Sequence, residues 1–292
     1  MVSETTITVE APCKINLGLN ILGIKNDYHL LDTVMTVTGL CDTVELKLRN
    51  DSEIKTHFQF TNSVKITKKG QEELSIDPIK NSAYQSAEYV KNKFGVTCGA
   101  DINIIKRVPI AAGLGGSSCD AAGVLRAYSE LLGLPVTAED AAKLGSDTAF
   151  LFAGYTAARC TGRGEILEPF EAKPLNFVIA VSGKVNTAEC YRKFDELYPS
   201  YEYSSCNIDG LIKAMQTGDI VAIEKCLGNA LEKPAIALEP KVAETIKLVS
   251  MTNNSVAVFM SGSGAAVVGL YKDKKSADKA RIQLRGKCDF VW

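Results

Sequence analysis

Histidine and closely paired cysteines are scarce in this 292-residue sequence. The two histidines are His29 and His57, and no two of the nine cysteines form a Cys-x-x-Cys pair. An odd number of thiols, scattered through apolar segments, argues against a disulfide framework and a zinc site and fits a reducing compartment. We therefore expect a cytoplasmic protein.

An excess of charge of either sign is also absent, because 33 basic residues are balanced by 34 acidic ones. Such a balance gives no general attraction to nucleic acid or to an anionic membrane, so we expect neither partner. The sequence has no apolar run long enough to span a bilayer, and MVSETTITVE resembles neither a signal peptide nor a transit peptide. Any anionic ligand must therefore be held by a local site in a soluble protein.

Strand-like alternation dominates the first hundred residues. It predicts an opening strand or hairpin in TITVEAPCKINLGLNIL, two β-rich runs separated at residues 39–42, and a weak strand over 57–68. NSAYQSAEYVKNKFG is predicted to form a helix, with Asn81 or Ser82 as its cap and Gly95 at its end. The segment CGADINIIKRVPI then alternates as a further strand.

The second half of the chain is richer in predicted helices. A strand in NFVIAVSG is followed by helical segments near 207–216, 218–231 and 239–250. Two apolar β runs flank a Gly-Ser-Gly turn in SVAVFMSGSGAAVVGLY, and a polar helix covers 274–286. The pattern predicts two α+β domains that are joined around residues 162–174.

The stretch PIAAGLGGSSCDAA, residues 109–122, lies between a predicted strand and a helix that runs from about Ser118 to Leu132. Glycines let backbone N–H groups approach a phosphate, and the first turn of the helix adds unpaired donors and a positive dipole end. The hydroxyls of Ser117 and Ser118 can bind phosphate oxygens or join a Mg²⁺ shell. Together these features favour a phosphate-binding loop.

Known glycine-loop motifs do not match this spacing. A Walker A loop needs a lysine after its glycines, and the dinucleotide fingerprint needs a third glycine where Ser118 stands. A flexible turn with tight helix packing is the alternative explanation. Cys119 has the position of a reactive thiol, near a helix N-terminus, but we assign it no catalytic role.

The same stretch resembles the second motif of the GHMP kinases, P-x-x-x-G-L-G-S-S-A-A. APCKINLGLNILG is similar to the first motif of one branch, P-A-K-I-N-L, and MSGSGAAVVGL is similar to the third motif. YHLLDTVM, LGSDTAF, GRGEILEPF, VNTAECYRKFD and NALEKPAI resemble the 4-diphosphocytidyl-2-C-methyl-D-erythritol kinase branch. The match is collinear from residue 11 to about 270, although Asn26-Asp27 stands where that branch has Asp-Gly.

This resemblance implies an α+β, two-domain GHMP kinase fold. The ATP-binding N-terminal domain, expected over residues 1–165, would be like domain 2 of ribosomal protein S5. The domain over 166–292 would be ferredoxin-like α/β. The implied reaction is ATP-dependent phosphorylation of the 2-hydroxyl of a cytidylyl-linked methylerythritol, in non-mevalonate isoprenoid biosynthesis, with ATP and Mg²⁺ as cofactors.

The resemblance also implies a role for each matching residue. Asp147 would take the proton of the acceptor hydroxyl, and Lys14 would lie beside it. The implied site residues are Lys14 and Asp147 for catalysis; Gly113, Leu114, Gly115, Gly116, Ser117 and Ser118 for the ATP phosphates, Ser118 also as a Mg²⁺ contact; Asn16, Tyr28 and His29 for the substrate; and Gly262, Ser263 and Gly264 as a supporting turn.

Taken by themselves, these residues also fit plainer roles. Lys14 could be an outward-facing lysine of an edge strand, and Asp147 could cap the apolar segment that follows it. Tyr28 could belong to the core, His29 could be a loop histidine with its own partner, and residues 262–264 could form a simple hairpin turn. At the level of function, the alternatives are a kinase of another small alcohol and a non-catalytic paralogue that senses a nucleotide or sugar.

Overall fold

The computed structural model describes residues 6–61, 81–201 and 203–292. The chain forms two compact units, and both are assembled from separate segments. Unit 1 comprises Met1–Cys13, Thr38–Ile110 and Gly115–Gly154, and unit 2 comprises Lys14–Val37, Ala111–Leu114 and Tyr155–Trp292. The long strands β1 (Thr6–Lys25) and β2 (Tyr28–Arg49) therefore each contribute to both units.

Unit 1 contains the first part of β1, the second part of β2 and two further strands. The second half of β2 pairs antiparallel with β4 (Gly99–Lys106), and β3 (Ile54–Phe60) pairs parallel with β4. Alternate residues of these strands, such as Leu46, Ile102 and Ile104, are fully buried, as expected for a sheet with one covered face. The helices of unit 1 are α1 (Ser82–Phe94), α2 (Gly116–Leu132), α3 (Ala138–Ala142) and α4 (Ser146–Ala153).

Helix α2 packs closely against the strands of unit 1. An ideal Cβ placed on Gly123, in the middle of this helix, would lie 2.7 Å from Val44 Cγ2 of β2. Glycine costs roughly 0.5–1 kcal/mol relative to alanine inside a helix, but here it permits a close helix–strand contact. The helix ends at Gly133, whose left-handed conformation (φ 62°) is typical of a C-terminal cap.

Unit 2 contains two sets of paired strands. The first half of β2 pairs antiparallel with β5 (Ala157–Gly162), which pairs with β6 (Ile166–Pro169), and β1 pairs parallel with β8 (Gly228–Asn229). A separate antiparallel sheet has the order β11–β7–β10–β9, with β11 (Phe290–Val291), β7 (Asn176–Val181), β10 (Ala266–Tyr271) and β9 (Ser255–Met260). The helices of unit 2 are α5 (Thr187–Leu197), α6 (Ile208–Thr217), α7 (Ile220–Cys226), α8 (Glu232–Leu238), α9 (Lys241–Ser250) and α10 (Lys274–Leu284).

Most of the elements with a clear periodicity are confirmed. Helix α1 begins after Asn81, whose side chain accepts a hydrogen bond from the Ala83 amide, and it ends at Gly95. Helix α2 begins two residues before the predicted Ser118. Residues Asn26 and Asp27 form the turn from β1 to β2 with φ values of 51° and 63°. Two successive positive φ angles are typical of a type I′ hairpin, which Asn and Asp tolerate.

Other predictions are wrong or incomplete. The predicted break at residues 39–42 does not occur, because β2 continues through it between β1 and β4. The helix predicted over 218–231 is confined to Ile220–Cys226, while helices α5 and α8 and the strand pair β5–β6 were not predicted. The predicted strand over 57–68 is described only as far as Phe60, and residues 62–80 lie outside the described part.

The α+β class is confirmed, since helices and strands are mixed in both units. The domain boundary between residues 165 and 166 stays a prediction. None of the helices in the described residues is both long enough and apolar enough to cross a membrane.

Candidate active site

Lys14 is buried in unit 2, with 4% of its surface exposed. Its ammonium nitrogen donates hydrogen bonds to Asn16 Oδ1 at 2.6 Å and to the Gly113 carbonyl at 3.1 Å. Residues 14 and 16 of β1 share one face of the strand because side chains alternate with a period of two. Lys14 is therefore not an outward-facing lysine of an edge strand.

Residues Ala111–Leu114 are attached to two other segments of unit 2. The Leu114 carbonyl accepts from the Lys14 amide at 3.1 Å, and the Ala112 carbonyl accepts from the Ala266 amide at 2.9 Å. The Ser261 hydroxyl donates to the Gly113 carbonyl at 3.1 Å. The beginning of the glycine loop is thus fixed against both β1 and the turn that joins β9 to β10.

Gly113 is required for this arrangement. Its φ of 74° is in the left-handed region, and an ideal Cβ would lie only 2.2 Å from the Ser261 carbonyl oxygen. No side chain could be accommodated there without a backbone shift. The turn at residues 262–264 is accordingly both a hairpin turn and the surface against which the glycine loop packs.

The loop continues into the N-terminus of α2, in unit 1. The first intrahelical bond runs from the Cys119 amide to the Gly115 carbonyl at 2.8 Å. The amides of Gly116, Ser117 and Ser118 precede it, and no side chain of the described residues caps this helix. These backbone donors, with the hydroxyls of an exposed Ser117 and a half-buried Ser118, form a physically suitable anion site.

Asp147 lies in the first turn of α4, also in unit 1, and is half-buried. The N-cap of this helix is Gly145, so Asp147 does not occupy the capping position. An ideal Cβ on Gly145 would lie 3.9 Å from Ser118 Oγ. Within unit 1, the turn before Asp147 therefore lies beside the N-terminus of α2.

Tyr28 and His29 begin β2 in unit 2. Tyr28 is 55% exposed, which excludes a place in the core, and the Arg163 guanidinium lies 4.7 Å from the centre of its ring. His29 Nε2 is 2.8 Å from Asp195 Oδ1, and its ring is 4.6 Å from that of Tyr191. His29 thus has a partner of its own within an aromatic cluster. The strand pattern gave no indication of Tyr191 or Asp195, because they come from α5, which was not predicted.

Two family models match the chain. The model of the GHMP kinases N terminal domain matches residues 81–158, and that of the GHMP kinases C terminal matches residues 211–289. A 4-diphosphocytidyl-2-C-methyl-D-erythritol kinase from a Geobacillus species is 38% identical, over 98% of this chain and 95% of that protein. The enzyme of the same name from Bacillus pumilus is 36% identical over the same shares. The chain belongs to this family of GHMP kinases.

Solved structures agree with this assignment. A crystal structure of 4-(cytidine 5'-diphospho)-2C-methyl-D-erythritol kinase matches this GHMP kinase with a TM-score of 0.78 and 30% identity, covering 98% of this chain and 97% of the other. A mevalonate kinase from L. major has a TM-score of 0.73 at 14% identity, covering 99% and 96% of the two chains, which shows a shared fold. The predicted two-domain GHMP kinase fold is confirmed.

A buried charge cluster of this GHMP kinase was not predicted from the sequence. Within unit 1, Lys106 Nζ lies 2.5 Å from Asp42 Oδ2 and 2.6 Å from Asp120 Oδ2, and all three side chains are buried. Asp42 Oδ1 also accepts from the amides of Arg107 and Val108. The sequence signal was a charged residue inside an apolar strand, as in INIIKRV and GLCDTVEL. The cluster joins β2 and β4 to the second turn of α2.

The two carboxylates and the Cys119 thiol are also the one metal-ligand group found among the described residues. The Lys106 ammonium already contacts both carboxylates, so it takes the place that a metal cation would need. Burial raises the pKa of the Cys119 thiol well above its usual value. The side chain is also fully buried, so Cys119 lacks the exposure that reactive cysteines have, despite its place near a helix N-terminus.

Asp42 and Asp120 share the single cation Lys106 in this cluster, and Asp120 is the acid whose neutral form is favoured. Burial raises the pKa of Asp120 to about 7, against the lowering effect of Lys106 and with the added effect of Asp42. Burial alone would lower the pKa of Lys106, but the carboxylates of Asp120 and Asp42 outweigh it and raise that pKa. Asp120 is consequently a group that carries a proton in the folded protein at a pH where it would lose it when unfolded.

We expect this proton to make stability depend on pH. Between about pH 4 and about pH 7 the folded state holds the Asp120 proton and the unfolded state does not, so the free energy of unfolding falls as pH rises. Asp120→Asn, which cannot ionise, should lack this component. The measurement is urea unfolding of both proteins without nucleotide from pH 4 to pH 8. A wild-type stability that rises across this window relative to the variant would contradict the assignment.

Proposed function

We propose that this GHMP kinase transfers the γ-phosphate of ATP to the 2-hydroxyl of 4-diphosphocytidyl-2-C-methylerythritol. The observation that carries the proposal is the buried Lys14 ammonium, hydrogen-bonded to the first glycine of the phosphate loop. The 38% identity to an enzyme named for this activity, over 98% of the chain, supports the choice of substrate.

Asp147 is proposed as the general base. An alcohol is scarcely ionised at neutral pH, so its proton must be accepted as the new bond to phosphorus forms. Lys14 stabilises the negative charge that develops around the reacting oxygens. The two residues promote in-line transfer, in which the alcohol oxygen attacks and ADP leaves, without a covalent enzyme intermediate.

The ATP phosphates are proposed to lie on residues 113–118. The amides at the start of α2, which precede the first intrahelical bond, supply backbone donors, while the packing of Gly113 on residues 261–264 fixes the loop. The Ser118 hydroxyl is a hard oxygen donor of the kind that Mg²⁺ accepts, and the nearby carboxylates are engaged by Lys106. Ser118 would hold the ion together with phosphate oxygens, and a bound Mg²⁺ would neutralise charge on the β and γ phosphates.

The cytidylyl group is proposed to bind at Tyr28 and His29. The open face of Tyr28 can stack on a pyrimidine, and the His29 imidazole is oriented by Asp195 and Tyr191. Asn16 was predicted as a substrate residue, and its amide oxygen is already bonded to Lys14. A substitution of Asn16 would therefore disturb Lys14 as well as any contact that Asn16 makes with the substrate.

The proposal is tested by assaying the purified protein with ATP, Mg²⁺ and a panel of alcohols. The panel contains 4-diphosphocytidyl-2-C-methylerythritol, mevalonate, homoserine and galactose, and the readouts are ADP release and ³¹P NMR of the product. We expect phosphorylation of the cytidylyl compound alone. Transfer to another alcohol would favour a different kinase, and ATP binding without transfer to any alcohol would favour a sensor.

Tyr28→Ala should weaken binding of cytidine nucleotides specifically. Stacking of a base on an aromatic ring contributes about 1–3 kcal/mol, so the Kd for CDP should rise roughly 5- to 150-fold. Tyr155→Ala is a matched control, because it also removes a partly exposed tyrosine of unit 2. The measurement is calorimetric titration with CDP and, separately, with an ATP analogue. Equal CDP affinity in wild type and Tyr28→Ala would remove Tyr28 from the substrate site.

A further inference from the structure

A chain of buried hydrogen bonds in unit 2 leads from β2 to the Lys14 ammonium. Thr33 Oγ1 lies 2.6 Å from the Gly18 carbonyl oxygen and 2.8 Å from Asn16 Nδ2, and Asn16 Oδ1 lies 2.6 Å from Lys14 Nζ. Thr33, Asn16 and Lys14 are all buried. Water therefore has little access with which to replace a missing partner, and each of these bonds matters for the arrangement of its neighbours.

The chemistry of the groups fixes the direction of every bond in this chain. A carbonyl oxygen can only accept, so the single Thr33 hydroxyl proton is directed to Gly18. The Thr33 oxygen must then accept a proton from Asn16, and only the nitrogen of the Asn16 amide can donate one. The amide oxygen is thereby turned toward Lys14, whose ammonium can only donate.

We propose that Thr33 is a positioning residue for Lys14, acting through the side-chain amide of Asn16. Lys14 has a flexible four-carbon stem, and its nitrogen is held between two acceptors, Asn16 Oδ1 and the Gly113 carbonyl. The second acceptor belongs to the glycine loop, and the first depends on the orientation that Thr33 imposes. The inference rests on the proposed catalytic role of Lys14.

Loss of the Thr33 hydroxyl removes the acceptor that holds the Asn16 amide in its orientation. In Thr33→Val the Asn16 amide can rotate, and its other orientation turns an NH₂ group toward the ammonium. Because small misplacements of a group that stabilises the transition state are costly, we expect kcat to fall by roughly 10- to 100-fold. The KM for ATP should stay unchanged. Thr33→Ser keeps the hydroxyl and should restore most of the lost turnover.

A double mutant separates positioning from a purely structural effect. If Thr33 acts through Lys14, then Thr33→Val should cause no further loss of kcat in a Lys14→Ala background. Thr245→Val is the matched control, since it removes a fully buried hydroxyl that bonds to the backbone of α9. We expect Thr245→Val to lower stability without lowering kcat. The inference would be overturned if the double mutant lost as much kcat as the product of the two single losses. It would also be overturned if a folded Thr33→Val protein kept the wild-type kcat.

A second measurement reads the position of Lys14 without turnover. The side-chain ¹⁵N resonance of the Lys14 ammonium can be assigned from its absence in Lys14→Ala. We expect it to shift or broaden in Thr33→Val, to return in Thr33→Ser and to stay unchanged in Thr245→Val. An unaltered resonance in Thr33→Val would refute the positioning role. If wild type transfers phosphate to none of the alcohols, the proposed function fails, and this resonance still decides the inference about Thr33.

Discussion

Asp147→Asn should lower kcat by about 10²–10⁴-fold, the usual contribution of general-base assistance. Asparagine keeps the shape and hydrogen bonding of aspartate but cannot accept the proton of the acceptor alcohol. Binding of ATP and of the cytidylyl substrate should change little, because the carboxylate is needed mainly as the reaction proceeds. The measurement is steady-state turnover, with both ligand affinities determined separately by calorimetry.

Asp209→Asn is a suitable control for this variant. Asp209 also lies in the first turn of a helix, α6, and its side chain is largely exposed. Its replacement should leave kcat unchanged. Full turnover by a folded Asp147→Asn protein would show that another group accepts the proton. Lys14→Ala should also reduce turnover, and the double variant should lose less than the product of the two effects if the residues act together.

Lys106→Met should destabilise unit 1 strongly. It leaves Asp42 and Asp120 buried without the cation that both contact, and breaking a buried ion pair in this way typically costs about 3–5 kcal/mol. This loss arises because two carboxylates stay buried without a cation. It does not measure the net contribution of the cluster to the free energy of unfolding. The free energy of unfolding is measured with urea at pH 8, above the pKa of about 7 of Asp120.

Lys274→Met serves as the matched control, because Lys274 pairs with Asp278 on the exposed surface of α10. Exposed pairs contribute little, so this variant should unfold at nearly the same urea concentration as wild type. If Lys106→Met were no less stable than Lys274→Met, the buried Asp42 and Asp120 side chains would not depend on the Lys106 ammonium for their place in the fold.

The glycine loop and the two elements that flank it could be predicted from the sequence because their features are local. Strand β4, the small-residue segment and helix α2 follow each other within residues 99–132, and hydrophobic periodicity marks both flanking elements. The αL conformation of Gly113 and Gly115 was also foreseeable, since glycine adopts it without a steric penalty. The reason that Gly113 tolerates no side chain was not foreseeable, because Ser261 is distant in the chain.

The buried charge cluster of Asp42, Lys106 and Asp120 could not be predicted in this way, because its members come from distant segments of the chain. Asp42 and Lys106 are 64 positions apart, and each by itself looks like an ordinary polar residue of a strand. Their pairing depends on the register of β2 against β4, in which Thr43 is opposite Ile105. Strand β2 also continues through residues 39–42, where glycine and aspartate predicted a break, and it pairs with β1 as well as with β4. Tertiary hydrogen bonding overrode a local preference that is weak in strands.

The sequence by itself determined the family, the α+β class and the identities of the candidate site residues, because these depend on residue types in a fixed order. Only the tertiary structure decided what the side chains do: that Lys14 is buried rather than outward-facing, that Tyr28 is open and that His29 is paired with Asp195. It also decided the orientation of the Asn16 amide, through a hydroxyl on the neighbouring strand β2. A hydrogen bond needs its partner at a set distance and angle, and segments far apart in the chain meet that condition only after they have packed.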